Sequence, residues 1–312
     1  MSVICVGILV ADVIAKPVEK LPERGKLDLV DKIELHTGGC AVNTGIALSK
    51  IGIKTGIIGK VGNDGFGGFL IDTLKKNKID VSGIVKDKNI NTSATAVMVH
   101  PDGERSFIHY LGANSEFSEK DIDLNIVKKY KIIHVAGTFL MPKFDGEPTA
   151  RIFKKAKKMG LITSLDTCWD SKNRWMKLLE PVLQYVDIFL PSIEEAKRLT
   201  EKETPEEIAK ILMDYGVKTV GLKMGEKGCY IRTKDVQLSI PAFKINPVDA
   251  TGAGDSFVAG FLTGIIKGWD LEKTGRFANA VGAMCALAIG ASQGVKSLKE
   301  TFKFIQNHTS NN

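Results

Sequence analysis

The sequence predicts an α/β protein with a mostly parallel central sheet, helices on both faces and a small β-sheet lid. Three observations carry this. From Asp121 onward, short apolar runs alternate with helix-length amphipathic segments, the pattern of strands buried on both faces and joined by helices. Two glycine-rich turns, at 37–43 and 249–256, each run straight into an apolar helix. Two stretches, about 13–36 and 90–112, instead look like edge strands and a hairpin. At 312 residues and 44% hydrophobic content the chain can bury one large core. No linker or fixed-period repeat divides it, so 1–312 reads as a single domain carrying a lid.

Taken in order, residues 2–10 form an apolar run with an internal glycine, as in a strand buried on both sides, and Asp12 follows at its C-terminal end. Ligands of open α/β sheets sit at that end. Residues 16–34 mix charge, proline and isolated apolar side chains, which suits the lid. Thr37-Gly38-Gly39-Cys40-Ala41-Val42-Asn43 then opens a helix that stops at Gly52. The diglycine lets a ligand approach the backbone closely. Asn43, one turn inside, either bonds a polyol hydroxyl or satisfies nearby backbone. A strand over 54–61 and a helix over 66–77 follow, with Gly62, Gly65, Gly67 and Gly68 between them. That cluster fits neither G-x-G-x-x-G after a strand nor a Walker A loop, because no G-K-[ST] occurs.

Residues 93–100 and 105–111 are β-rich and joined by Pro101-Asp102-Gly103-Glu104, a hairpin signature. An isolated hairpin is marginal in water, so it should pair with the 16–34 strands over the glycine turns. From such a lid Arg105, His109 and Tyr110 either reach substrate or pack across strands. The later alternation runs helix to 129, strand 131–136, helix 147–159, strand 161–166, helix 175–183 and strand 186–190. Helices 192–199 and 205–215 and strand 217–224 complete it. Asp166 and Ser192 stand at strand ends, and Ser192 with Glu195 also spells a capping box. Lys223 precedes the turn Met224-Gly225-Glu226-Lys227-Gly228, which can cradle a nucleotide or simply reverse the chain. Gly260 and Gly264 let the helix after Asp255 pack closely on 271–288, where Asn279 is a polar exception able to face a base or sugar.

The chemistry concentrates in Asp249-Ala250-Thr251-Gly252-Ala253-Gly254-Asp255-Ser256. A glycine turn feeding a helix aims unpaired N–H groups and the positive helix end at one point, which suits a phosphate. Asp255 adds a carboxylate there, as suits a base beside a transferring phosphoryl group. The five cysteines show no Cys-x-x-Cys pair and read as ordinary buried thiols. The formal charge of +7 comes from dispersed lysines without an aromatic-interleaved basic stripe, which argues against a nucleic-acid partner. No apolar run approaches a membrane span and no signal peptide is evident, so a cytoplasmic protein is expected.

On the 249–255 signature and the Gly38-Gly39-Cys40-Ala41-x-Asn43 turn, the chain resembles the ribokinase/PfkB carbohydrate kinase family along essentially its whole length. The resemblance implies a ribokinase-like three-layer α/β/α sandwich with a β lid, ATP as co-substrate and Mg2+. It implies Asp255 as catalytic base, Gly252, Ala253 and Gly254 as anion hole, and Asp12, Gly39 and Asn43 as sugar ligands; Gly38, Arg105 and Asp166 are further candidates on the substrate side. On the nucleotide side it implies Gly225, Gly228 and Asn279, where Ser192, Lys223 and Thr251 are further candidates. The family's Asn-x-x-Glu element stands here as Ser192-x-x-Glu195, with Glu195 reaching Mg2+ through water. Asp249 and Thr251, with backbone carbonyls near Cys285, Ala288 and Gly290, resemble a monovalent-cation site suited to K+. The Asp-x-Asn-x-x-Arg element of furanose and keto-acid kinases is reduced to Asp166, which weakens an assignment to fructose or 2-keto-3-deoxygluconate. The expected activity is phosphorylation of a CH2OH group on a sugar or polyol, with a nucleoside kinase or a non-catalytic binding regulator as alternatives. A homodimer through the lid is also expected, because exposed sheet edges and apolar faces need covering.

Overall fold

A computed structural model describes residues 2–309. The chain runs β1 (Ser2–Gly7), β2 (Val10–Lys16), β3 (Lys32–Gly38), α1 (Cys40–Ile51), β4 (Lys54–Gly62), α2 (Gly65–Lys76) and β5 (Asp80–Asp87). It continues with β6 (Ala94–Val99), β7 (Arg105–Tyr110), α3 (Leu124–Val127), β8 (Ile132–Thr138), α4 (Glu147–Lys158) and β9 (Ile162–Thr167). Next come α5 (Trp175–Leu183), β10 (Ile188–Phe189), α6 (Ile193–Thr200), α7 (Pro205–Asp214), β11 (Thr219–Lys223), β12 (Cys229–Arg232) and β13 (Gln237–Ile240). The chain ends with α8 (Ala253–Lys267), α9 (Leu271–Ala286) and α10 (Leu298–Thr309).

Nine strands form the central sheet in the order β13-β12-β11-β10-β9-β8-β1-β4-β5. All its ladders are parallel except β11–β12 and β12–β13. The two faces are written into β1: Ile4 and Val6 belong to the core shared with α4, α5 and α7, while Val3 and Cys5 belong to the core shared with α1, α8 and α9. A strand between two helix layers is apolar on both faces, which is why residues 2–10 lack a polar alternation. β1 pairs with β4 on one side and β8 on the other, so chain order reverses there and a crevice opens at the strand ends.

The second sheet has the order β3-β2-β6-β7 and is the lid. Two expectations change here. The run 2–10 is two elements, because Asn114 accepts from Leu9 N and donates to Leu9 O, both at 3.1 Å, satisfying the backbone where the chain leaves β1. Asp12 therefore lies inside lid strand β2, opposite His36 of β3 and Thr95 of β6, rather than at the end of a central strand. β7 alternates strictly, so Arg105, Phe107 and His109 line the cavity beneath the lid. Tyr110 belongs to the opposite set and does not line that cavity, which removes it from the substrate side.

Candidate active site

Residues 249–255 arrive from an extended segment anchored by Val248 N and Asp249 N, which donate to Ala286 O at 2.8 and 3.1 Å. Gly252 then adopts φ 73°, ψ 1°, a left-handed conformation that glycine takes without a Cβ penalty, and α8 starts at Ala253. A Cβ on Gly252 would also lie 2.0 Å from Ala291 O. The first turn of α8 has no side-chain cap, and apart from Ala253 N, which donates to Ala250 O at 3.1 Å, its N–H groups are left for a ligand.

This turn is a partition between two cavities. On one side, Thr251, Gly252 and Asp255 line a cavity of about 520 Å3 together with Asp12, Gly38, Gly39 and Asn43. On the other, Ala250, Ala253 and Gly254 line one of about 650 Å3 together with Lys223, Gly225, Gly228 and Asn279. Successive residues of one turn thus face two separate compartments.

Asn43 Nδ2 donates to Asp255 Oδ2 at 2.8 Å, across 212 residues of sequence. The other amide atom, Asn43 Oδ1, is buried without a hydrogen-bond partner. Burial raises the Asp255 pKa above the usual carboxylate range, although the Asn43 bond, the Lys223 charge and the Cys40 thiol pull it down. Asp12 is likewise raised by burial, with Thr95 and His36 opposing. Gly38 makes room for it: a Cβ there would lie 2.0 Å from Asp12 Oδ2. Gly39 plays a matching part against Ile8 O, 2.4 Å from its ideal Cβ position.

Asp166 stands apart from the acceptor cavity. Both its oxygens accept from Lys223 Nζ at 2.8 Å, and neither residue is more than 14% exposed. Burial opposes the Lys223 ammonium, but Asp166, Glu195 and Asp255 outweigh it and hold its pKa above the usual lysine value. Asp166 therefore orients Lys223 toward the nucleotide side and is not among the residues around the acceptor.

The capping box at Ser192 is formed in full, with Ser192 N donating to Glu195 Oε2 at 2.9 Å and Glu195 N to Ser192 Oγ at 3.3 Å. Thr167 Oγ1 also donates to Glu195 Oε2, so Glu195 takes its bonds on one oxygen. Its other oxygen suits a water-mediated contact with Mg2+, which binds through few carboxylates and mainly through nucleotide phosphates. Asn279 lines the nucleotide cavity, yet its Nδ2 is engaged by Ile240 O and Pro241 O at 3.1 Å each. It fixes the end of β13 and leaves only its carbonyl for a base.

Around Asp249 the arrangement holds a residue placed elsewhere by the sequence reading. Arg105 of the lid donates through Nη2 to Asp249 Oδ1 at 2.6 Å and through Nη1 to Thr251 Oγ1. Two further features were missed. His36 and Thr95 flank Asp12, and only the lid register reveals them. Cys40 and Cys168 are not isolated thiols, since their Sγ atoms are 3.4 Å apart beside the acceptor cavity.

The sequence profile of the pfkB family carbohydrate kinases matches residues 1–298. The chain belongs to this family. Fructokinase-2 of Oryza sativa is 30% identical over 270 residues, covering 81% of this chain and 80% of that protein. Ribokinase of Arabidopsis thaliana, solved with ribose and ATP, superposes with a TM-score of 0.83 at 27% identity over 98% of each chain. An Escherichia coli protein provisionally named ribokinase II, solved with ATP and Mg2+, gives 0.84 at 25% identity over 98% of this chain and 99% of its own. Members of the family are phosphotransferases with an alcohol acceptor, so this chain is a sugar kinase of the pfkB type. Among the described residues no helix is long and apolar enough to cross a membrane.

Proposed function

We propose that this kinase transfers the γ-phosphate of ATP to a primary hydroxyl of a small carbohydrate held beneath the lid. The observation that carries the reading is the partition: Asp255 faces one cavity while its helix-turn neighbours Ala253 and Gly254 face the other. A phosphoryl group passing between the compartments would cross the N–H nest of that turn.

Asp12 and Asn43 hold the acceptor, and the unsatisfied Asn43 Oδ1 takes a substrate hydroxyl. Asp255 accepts the proton of the attacking hydroxyl as the phosphorus–oxygen bond forms. Its raised pKa makes it a stronger base than a solvated aspartate. The N–H groups of Gly252 and Gly254 and the Lys223 ammonium disperse charge on the equatorial oxygens, while Ala253 N is held by Ala250 O. Glu195 would hold a Mg2+ ion through water, and that ion, bound with ATP, would offset phosphate charge. The lid sheet excludes water and so limits ATP hydrolysis. A screen for ADP release over hexoses, pentoses, inositols and nucleosides tests the reading, and no ADP with any of them would overturn it.

One observation favours a nucleoside as a second acceptor class. Phe107, 62% exposed, faces the acceptor cavity from β7, where its ring can stack on a base. A preference for nucleosides over free sugars in the same screen would select it. The lid's outward side also supports a homodimer: Ile33 and Ile108 are 66% and 61% exposed, and Leu35 and Tyr110 share that face. A second copy would cover this apolar surface. Sedimentation of Ile108→Lys as a monomer, against a wild-type dimer, checks it.

A further inference from the structure

The family resemblance places a monovalent cation against Asp249, Thr251 and nearby carbonyls, and the donor set found there does not fit one. Asp249 Oδ1 accepts from Thr251 N at 2.8 Å and from Arg105 Nη2 at 2.6 Å, and Oδ2 accepts from Gly290 N at 2.9 Å. The carbonyls of Thr251 and Ala291 both face the Cys285 thiol, at 3.5 and 3.3 Å. Both Asp249 oxygens are thus met by N–H groups, and the Cys285 thiol, with one proton to share, stands against the two carbonyls. The Asp249 side chain is only 6% exposed and is paired with the Arg105 guanidinium.

We infer that the Arg105 guanidinium, delivered by the lid, replaces the soluble monovalent cation at Asp249, so that the anion nest is organised by lid closure and not by K+. Thr251 immediately precedes Gly252 and Asp249 lies three residues before it, so whatever balances Asp249 bears on the position of residues 252–254. Arg105 is the first residue of β7, directly after the Pro101–Glu104 turn at the lid tip. Lifting the lid would withdraw the guanidinium and leave a buried carboxylate uncompensated, which disfavours the ordered turn. Closing it restores the turn at the moment the acceptor is enclosed. A guanidinium is always protonated and donates in a fixed fork, so it can hold Asp249 and Thr251 together as a bound ion would.

This inference rests on the kinase reading for its activity arm but not for its binding arm. The protein is exchanged into tetramethylammonium salts and titrated with KCl at constant ionic strength, and both ADP release and Tm are followed. Wild-type rate and Tm should stay unchanged with K+. Arg105→Ala should lose roughly tenfold or more in rate without K+, consistent with a coupling of ordinary allosteric size. It should regain much of that rate as K+ rises, with a Tm that climbs with K+ concentration. Arg105→Lys, which keeps the charge but not the fork, should need less K+ than Arg105→Ala. Stimulation of the wild type by K+ would overturn the inference, as would an Arg105→Ala protein whose Tm ignores K+. If no substrate yields ADP, the kinase reading fails while the Tm comparison still decides the cation question.

Discussion

Gly252 and Gly254 lie two residues apart in one turn, and the same substitution should injure the protein in opposite ways. In Gly254→Ala the added Cβ meets nothing closer than Lys223 Nζ at 3.6 Å, an ordinary contact. Gly254 is already helical, where alanine is favoured over glycine by up to about 1 kcal/mol. The fold should therefore survive with an equal or higher Tm. The new methyl stands in the nucleotide cavity, so KM for ATP should rise roughly tenfold or more, the equivalent of about 1.4 kcal/mol of lost approach to phosphate. Gly252→Ala meets the reverse situation. Its φ of 73° costs an alanine about 1–2 kcal/mol, and the Cβ would sit 2.0 Å from Ala291 O, a backbone atom that cannot swing away. The expected result is a destabilisation of several kcal/mol, read as a fall in Tm. Thermal melts and ATP-dependent initial rates on both variants decide the matter. If Gly254→Ala keeps a wild-type KM for ATP, the nucleotide does not approach this turn and the assignment of the second cavity is wrong.

Asp255→Asn should lower turnover by about 10²–10⁴-fold, the size of a lost general base. Because burial raises the Asp255 pKa, its ionised form opposes folding at neutral pH, so the amide should raise Tm at pH 7 and lose that advantage as pH falls below the folded pKa. In the wild type, kcat/KM should fall on the acid side at a pH above that of a solvated aspartate. Lys223→Met strands the Asp166 carboxylate and should cost about 3–5 kcal/mol, while Lys223→Met with Asp166→Leu should recover part of it in the same denaturation assay. Hydrogen peroxide should join Cys40 to Cys168, consuming two thiols and releasing two waters per pair. Thiol titration should show the loss, Cys168→Ser should prevent it, and dithiothreitol should reverse it.

The parallel core and both glycine turns were legible because each is a local pattern: apolar runs between helices, and glycines placed where a helix begins. The lid was legible only as strand-like composition, and its register decided what mattered. Alternation along β7 separates Phe107 from Tyr110, and no composition argument distinguishes them. β5 escaped notice because Asp80, Ser82 and Gly83 interrupt its apolar residues, as an edge strand allows. The break after Gly7 depends on Asn114, 105 residues from Leu9, and the Asp166–Lys223 pair spans 57. Such partners are set by tertiary packing, so a carboxylate at a strand end suggests a substrate ligand at Asp166 where the fold pairs it with Lys223.

The amide of Asn43 links these levels. One end is tied to Asp255 and the other is buried without a partner. A buried polar atom left unpaired costs about 1–3 kcal/mol, and a substrate hydroxyl that donates to Asn43 Oδ1 would offset that cost on binding. The contact would favour acceptors that place a hydroxyl beside Asp255, so the amide that orients the base would also help to choose the alcohol.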